Sequence, residues 1–153
     1  MIAPILALSL LVQAPPSPET EIAAVLDRLN AASTAADATA YFSLFTPDAR
    51  FIGTDATERW SLTEFRAYAG PVFARGRGWT YTPSGRVITI APIECRCIAW
   101  FDEELENASY GQTRGSGVLR LTPDGWKIEQ YVLSFAIPNE KADAVVAEVR
   151  APD

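Results

Sequence analysis

Between Trp79 and Ile137 the chain holds four β-rich runs with no room for a helix between any two of them. The runs Trp79–Ala91, Cys97–Leu105, Tyr110–Leu121 and Trp126–Ile137 are separated only by the turn signals APIE, ENAS and TPDG. Parallel neighbours would need crossovers of a dozen residues or more, so connections this short dictate an antiparallel meander. A doubly wound α/β architecture is thereby excluded, because nothing crosses from one late strand to the next.

The earlier half reads as helices. Ser17-Pro18-Glu19 supplies a capping hydroxyl, a proline in the first turn and an acid at the positive end of the helix dipole. Ile22, Val25, Leu26 and Leu29 follow at helical spacing, which predicts a helix ending near Ala36. Asp37 predicts a cap for a shorter helix through Tyr41, Phe42, Leu44 and Phe45, stopped by Thr46-Pro47. Ala49 to Gly53 reads as a short strand. Ser61-Leu62-Thr63-Glu64 is a capping box that opens a third helix, expected to bend or break at Gly70-Pro71 and to stop by Gly76-Arg77-Gly78. Asn139 is expected to cap a last amphipathic helix with Ala142, Val145, Val146 and Val149 on one side. The fold class is α+β, with the sheet curled around the helices as a cone whose open end forms a cavity.

Composition narrows the chemistry. A chain of 153 residues predicts one core. Its net charge of −6 repels a phosphate backbone, which argues against nucleic acid as a partner. The absence of histidine removes Ser-His-Asp and Cys-His catalysis and the usual zinc ligand, leaving carboxylates, Tyr, Lys or Cys for acid-base work. Residues 1–14, MIAPILALSLLVQA, carry an apolar run too short to span a bilayer and a small-x-small ending, so they read as a signal peptide. Residues 15–19 then serve as a linker and 20–150 as the single domain of a periplasmic or secreted protein without a membrane span. Cys95 and Cys97 are too few for a structural metal site; they either close a small ring in an oxidising compartment or stay as thiols at a hairpin tip.

The order of elements and several motifs resemble the SnoaL-like, or polyketide-cyclase-like, branch of the nuclear transport factor 2-like superfamily. The carrying residues are YFSLFTPDA at 41–49, FIGTDATERW at 51–60, AWFDE at 99–103, RGSGVL at 114–119 and GWKIEQY at 125–131. The resemblance covers about residue 20 to 140 and implies the cystatin-like cone. It implies function less sharply, since the superfamily includes isomerases, dehydratases, cyclases and epoxide hydrolases besides members that only bind ligands or partners. Relatives often carry a His two positions after the Gln of the last strand, where this chain has Val132.

Several residues are candidates for a site. Asp55 and Glu58 lie between a strand and a capped helix, at the expected pocket rim, where either carboxylate serves as a general base, or else Thr54 and Asp55 bond turn amides while Glu58 pairs with Arg59. Asp102 stands among large apolar residues and needs a partner. Pairing in which residue numbers sum to 216 sets it opposite Arg114, whereas a slip of one residue sets it opposite Thr113 and exchanges the faces. Gly115 and Gly117 either let the sheet bend or make room for a ligand. Tyr41, Trp60, Trp100, Gln130 and Tyr131 are the expected pocket residues, within an inventory of sixteen aromatic residues. Three functions follow: binding of a small apolar molecule; cofactor-free isomerase, dehydratase or cyclase chemistry, with Asp55 or Asp102 as base and Tyr41, Tyr131 or Arg114 stabilising an oxyanion; or a homodimeric interaction module using the convex sheet face.

Overall fold

A computed structural model of the chain describes residues 15–151. The signal-peptide reading of residues 1–14 lies outside the described residues. Three helices come first: α1 (Pro18–Thr34), α2 (Ala38–Ser43) and, after the strands β1 (Phe45–Ile52) and β2 (Arg59–Ser61), α3 (Leu62–Phe73). Strands β3 (Thr82–Ile90), β4 (Ile98–Asn107), β5 (Gly111–Thr122) and β6 (Gly125–Phe135) form the meander, and a short 3-10 turn at Asn139–Lys141 leads into α4 (Ala142–Arg150).

The helix starts obey their local chemistry. Ser17 Oγ accepts from the Thr20 amide and Asp37 Oδ1 from the Ala40 amide. At α3 the capping box is complete: the Ser61 amide donates to Glu64 Oε2 at 2.8 Å and the Glu64 amide donates to Ser61 Oγ at 3.3 Å. The expected break at Gly70-Pro71 does not occur, since α3 runs on to Phe73 with Pro71 inside it. So close to the end of the helix, the missing proline amide leaves only one carbonyl of the last turns without a donor. Asn139 does not cap α4, which has no side-chain cap, and the valine stripe stays open: Val149 is 79% exposed.

All six strands belong to one sheet in the order β2-β1-β6-β5-β4-β3. Every pair is antiparallel except β1 with β6, where the first long strand lies parallel to the last. The sheet curves without closing, and its concave face buries Ala99, Phe101, Leu105, Leu119, Ile128 and Tyr131 against Ile22, Val25, Leu26 and Leu29 of α1. Strand β2 is an addition to the sequence reading, which ran the loop after β1 straight to the capping box.

The β4–β5 register differs from the expected one. Ile98 pairs with Arg120 and Asp102 with Ser116, a shift of two residues that keeps the faces but changes every partner. Arg114 therefore lies opposite Glu104 rather than Asp102. Side-chain alternation specifies which face a residue occupies, not how far a strand slides in steps of two.

Candidate functional site

A cavity of about 80 Å³ opens at one end of the sheet, where α1, α2, α3, β1, β2 and β6 converge with two loops. By the rule of one water per roughly 10–15 Å³ of such volume, it holds about six waters or a small ring, with room to protrude at the open side. Nine of its sixteen lining residues are aromatic.

The walls follow from strand pairing. Trp60 on β2 pairs with Phe51 on β1, which lies beside Tyr131 on β6, so three rings stand in one row across neighbouring strands. Phe51 stacks on Tyr131 at 5.5 Å between centroids and on Phe65 of α3 at 3.8 Å. The same row continues through Gly117 to Phe101, and the absence of a side chain at Gly117 is obligatory: a Cβ there would fall on the Gln130 carbonyl oxygen. Gly115 has the role of making room, because a Cβ would stand 2.6 Å from the Tyr131 hydroxyl.

Two loops complete the mouth. Ser33 Oγ donates to the Trp79 carbonyl at 2.7 Å and Asn107 Nδ2 donates to the Thr80 carbonyl at 2.9 Å, pinning the irregular stretch that carries Trp79 and Tyr81. Asn107 Oδ1 in turn accepts from the Ser109 and Tyr110 amides, an Asx turn that holds Tyr110 at the rim. Tyr68 of α3 stacks on Trp60 at 4.6 Å. Glu58 is the one charged residue in the lining; its Oε2 accepts from the Asp55 amide at 3.2 Å.

Of the residues expected from sequence, Tyr41, Trp60, Tyr131 and the rim carboxylate Glu58 line this cavity. The others do not. Trp100 is 45% exposed on the convex face, and Asp102 and Arg114 point the same way. Gln130 also turns from the cavity, because its neighbour Tyr131 faces in and adjacent strand residues take opposite sides. Val132, where relatives often carry His, shares that outward parity. Asp55 is exposed, and hydrogen bonds from the Thr57 hydroxyl (2.6 Å) and amide (2.8 Å) hold its carboxyl below the ordinary value. A carboxylate stabilised in this way is a poor base.

The carboxylate buried inside the fold is Glu103, which sequence reasoning passed over in favour of its neighbour. Its side chain is fully buried, and Arg86 Nε donates to Glu103 Oε2 at 2.7 Å. Arg86 reaches inward because the β3–β4 register slips between Ser84 and Val87, a bulge opposite Glu103. Arg86 Nη1 also donates to Asp27 Oδ1 at 2.8 Å and to the Ala23 carbonyl at 3.1 Å on α1. Glu103 Oε1 has no partner among the described residues, nor has Asn30 Nδ2, although Asn30 lies close enough to act on the Glu103 carboxyl. Burial raises the Glu103 pKa, against the opposing pull of Arg86. Glu103 is not itself in the lining, but it lies beside two residues that are, Asn30 and Tyr131. The signal was present in sequence: Ala99, Phe101, Glu103 and Leu105 alternate on one face, with a carboxylate as the third member.

The tyrosines are neutral donors at neutral pH. Burial pushes Tyr41 and Tyr131 well above the usual phenol range, with the Glu103 charge adding to the effect at Tyr131. Tyr81 is pushed up to about 12, mainly by burial. Among the described residues there is no cluster of metal-ligating groups, and no helix is long and apolar enough to cross a membrane.

Residues 22–138 match the model of the SnoaL-like domain. The chain belongs to the SnoaL-like family. Solved structures of the nuclear transport factor 2-like, cystatin-like fold agree with this. A Nostoc punctiforme domain of unknown function with a cystatin-like fold superposes with a TM-score of 0.68 at 14% identity, covering 91% of this chain and 90% of that one. A nuclear transport factor 2-like protein of Streptomyces avermitilis, provisionally assigned as a dehydratase, gives 0.65 at 15% identity, covering 80% of this chain and all of that one. A provisionally assigned ketosteroid isomerase of Parabacteroides distasonis gives 0.60 at 20% identity, covering 76% and 86%. No curated protein matches the chain significantly. At these identities the likeness concerns the SnoaL-like fold alone.

Proposed function

We propose that this SnoaL-like domain binds a small molecule with a largely apolar body in the aromatic cavity, one polar atom of the ligand meeting Asn30 at its inner end. The observation that carries the reading is the open cavity itself, with nine aromatic residues in its lining and Asn30 as a polar group among them. An apolar pocket with a few polar groups in its wall is the usual form of a small-molecule site, and a ligand hydroxyl or carbonyl beside Asn30 meets one of them. Trp60 and Trp79 lie in the wall and report occupancy by their fluorescence. A panel of small cyclic alcohols and ketones is expected to contain members that shift that emission with Kd below about 1 mM, and Leu29→Trp, which fills the cavity, is expected to abolish the response. An unresponsive panel, or a response indifferent to Leu29→Trp, would overturn the proposal.

Glu103 supports a second reading, the cofactor-free acid-base enzyme. Buried, with a raised pKa and set behind the lining residues Asn30 and Tyr131, it takes the role that sequence gave to Asp55 or Asp102. Carboxyl carbon NMR of the native protein tests this directly: titration of Glu103 at or below its ordinary 4.5 would remove the base.

Two further parts of the proposal concern setting. Export is supported by the apolar leader and by the Cys95–Cys97 disulfide, a bond that persists in oxidising compartments; a mature protein retaining Met1 in the host periplasm or medium would refute cleavage. Homodimerisation through the convex face is supported by the exposed Val87 and Trp100 there. Sedimentation of a Trp100→Glu variant as the same species as the parent would argue against that face.

A further inference from the structure

The cavity mouth combines two features that select for charge. Trp60, Tyr68, Trp79, Tyr81 and Tyr110 surround it with π-systems, and the single charged residue in the lining is the carboxylate of Glu58. Among the described residues, no Lys or Arg lines the cavity. Behind the floor, Arg86 faces the two carboxylates of Asp27 and Glu103, which offset its charge, while its Nη2 has no partner among the described residues. The whole chain adds a net charge of −6.

Each term has the same sign. An aromatic face attracts a cation through its quadrupole, most strongly when the cation is weakly hydrated, as alkylated ammonium groups are. A half-buried carboxylate strengthens the attraction and repels anions. Glu58 is held for this role: its own amide donates to the Asp55 carbonyl at 3.0 Å, its carbonyl accepts from the Gly53 amide at 2.9 Å, and its carboxylate accepts from the Asp55 amide. The side chain passes so close to Gly53 that a Cβ at that position would collide with Glu58 Oε2, so glycine is what lets the carboxylate lie against the rim.

We propose that the preferred ligand of this cavity is a small organic cation, an apolar ring or chain ending in a tertiary or quaternary ammonium group that rests among the mouth aromatics beside Glu58. The proposal rests on the reading of the cavity as a small-molecule site and adds the class of ligand.

Three probes of nearly one shape separate the possibilities: trimethylanilinium, its neutral isostere tert-butylbenzene, and the anion benzenesulfonate, each titrated into the whole protein by tryptophan fluorescence and calorimetry. Trimethylanilinium is expected to bind about tenfold tighter than tert-butylbenzene, with benzenesulfonate weakest. Glu58→Gln, which keeps an acceptor for the Asp55 amide, is expected to remove most of the preference for the cation over tert-butylbenzene. Raising salt from about 0.05 M to about 0.5 M is expected to weaken the cation alone, a test that needs no variant. If tert-butylbenzene binds as tightly as the cation, the charge selection is wrong and the apolar cavity stands. If none of the three binds and the neutral panel is also silent, the cavity reading fails with it.

Discussion

Replacing Glu103 by Leu tests whether the buried ion pair is built as described. Glu103 has no exposed side-chain surface, and Arg86, its partner at 2.7 Å, keeps only 15% of its own. Removing one member of such a pair strands the other charge and costs about 3–5 kcal/mol. Arg86 would retain Asp27 and the Ala23 carbonyl, but Asp27 is 65% exposed and a solvated pair contributes under about 1 kcal/mol. The lower end, about 3 kcal/mol, is therefore expected. With an unfolding entropy of about 2.1 cal/mol/K per residue, a domain of this size loses about 10 °C in Tm. The double variant Arg86→Met with Glu103→Leu removes both charges and is expected to return within about 1 kcal/mol of the parent. Urea melts and calorimetry measure all three proteins. A single variant that loses less than about 1 kcal/mol, or a double variant no more stable than the single, would show that Arg86 is not stranded and that the pairing is misread.

Further outcomes follow from the same geometry. Because the folded Glu103 pKa lies above its ordinary 4.5, the folded state holds the proton more tightly, so this group's contribution is present in full below that value and is lost as pH rises through the folded pKa; Tm of the parent relative to Glu103→Gln should fall as pH is raised from about 4. Gly117→Ala places a methyl on the Gln130 carbonyl and 3.1 Å from Phe101, and should cost more than about 3 kcal/mol or prevent soluble expression.

Much of the architecture was legible in sequence because its signals are local. Ser61 and Glu64 cap α3 through their own side chains, and Asp37 caps α2 in the same way. The turns at ENAS and TPDG left the meander no alternative. What escaped was long-range. Strand β2 is three residues that become a strand only by pairing with β1, and nothing local in Arg59-Trp60-Ser61 announces that partner. The choice between Asp102 and Glu103 turned on which carboxylate shares a face with Ala99, Phe101 and Leu105. Sequence adjacency to Trp100 and Phe101 made Asp102 look buried, although neighbours along a strand never share a side. Arg86 was invisible for a related reason, since its inward aim depends on a bulge that appears only when β3 is laid against β4. The cavity's other rings, Phe51, Phe65, Tyr68, Trp79, Tyr81 and Tyr110, could be counted in advance but not assigned between core and mouth.

The parallel seam between β1 and β6 joins residues near 50 to residues near 130, and Tyr131 enters the cavity from the later side of it. Synthesis proceeds from the amino end, so the helices and the first long strand emerge while their neighbour is still unmade. During that interval Phe51 has no tyrosine to lie on, and the rim of the sheet beside it stands unpaired. The recess thus comes into existence only in the last moments of assembly, and no nascent fragment that ends before Tyr131 possesses it.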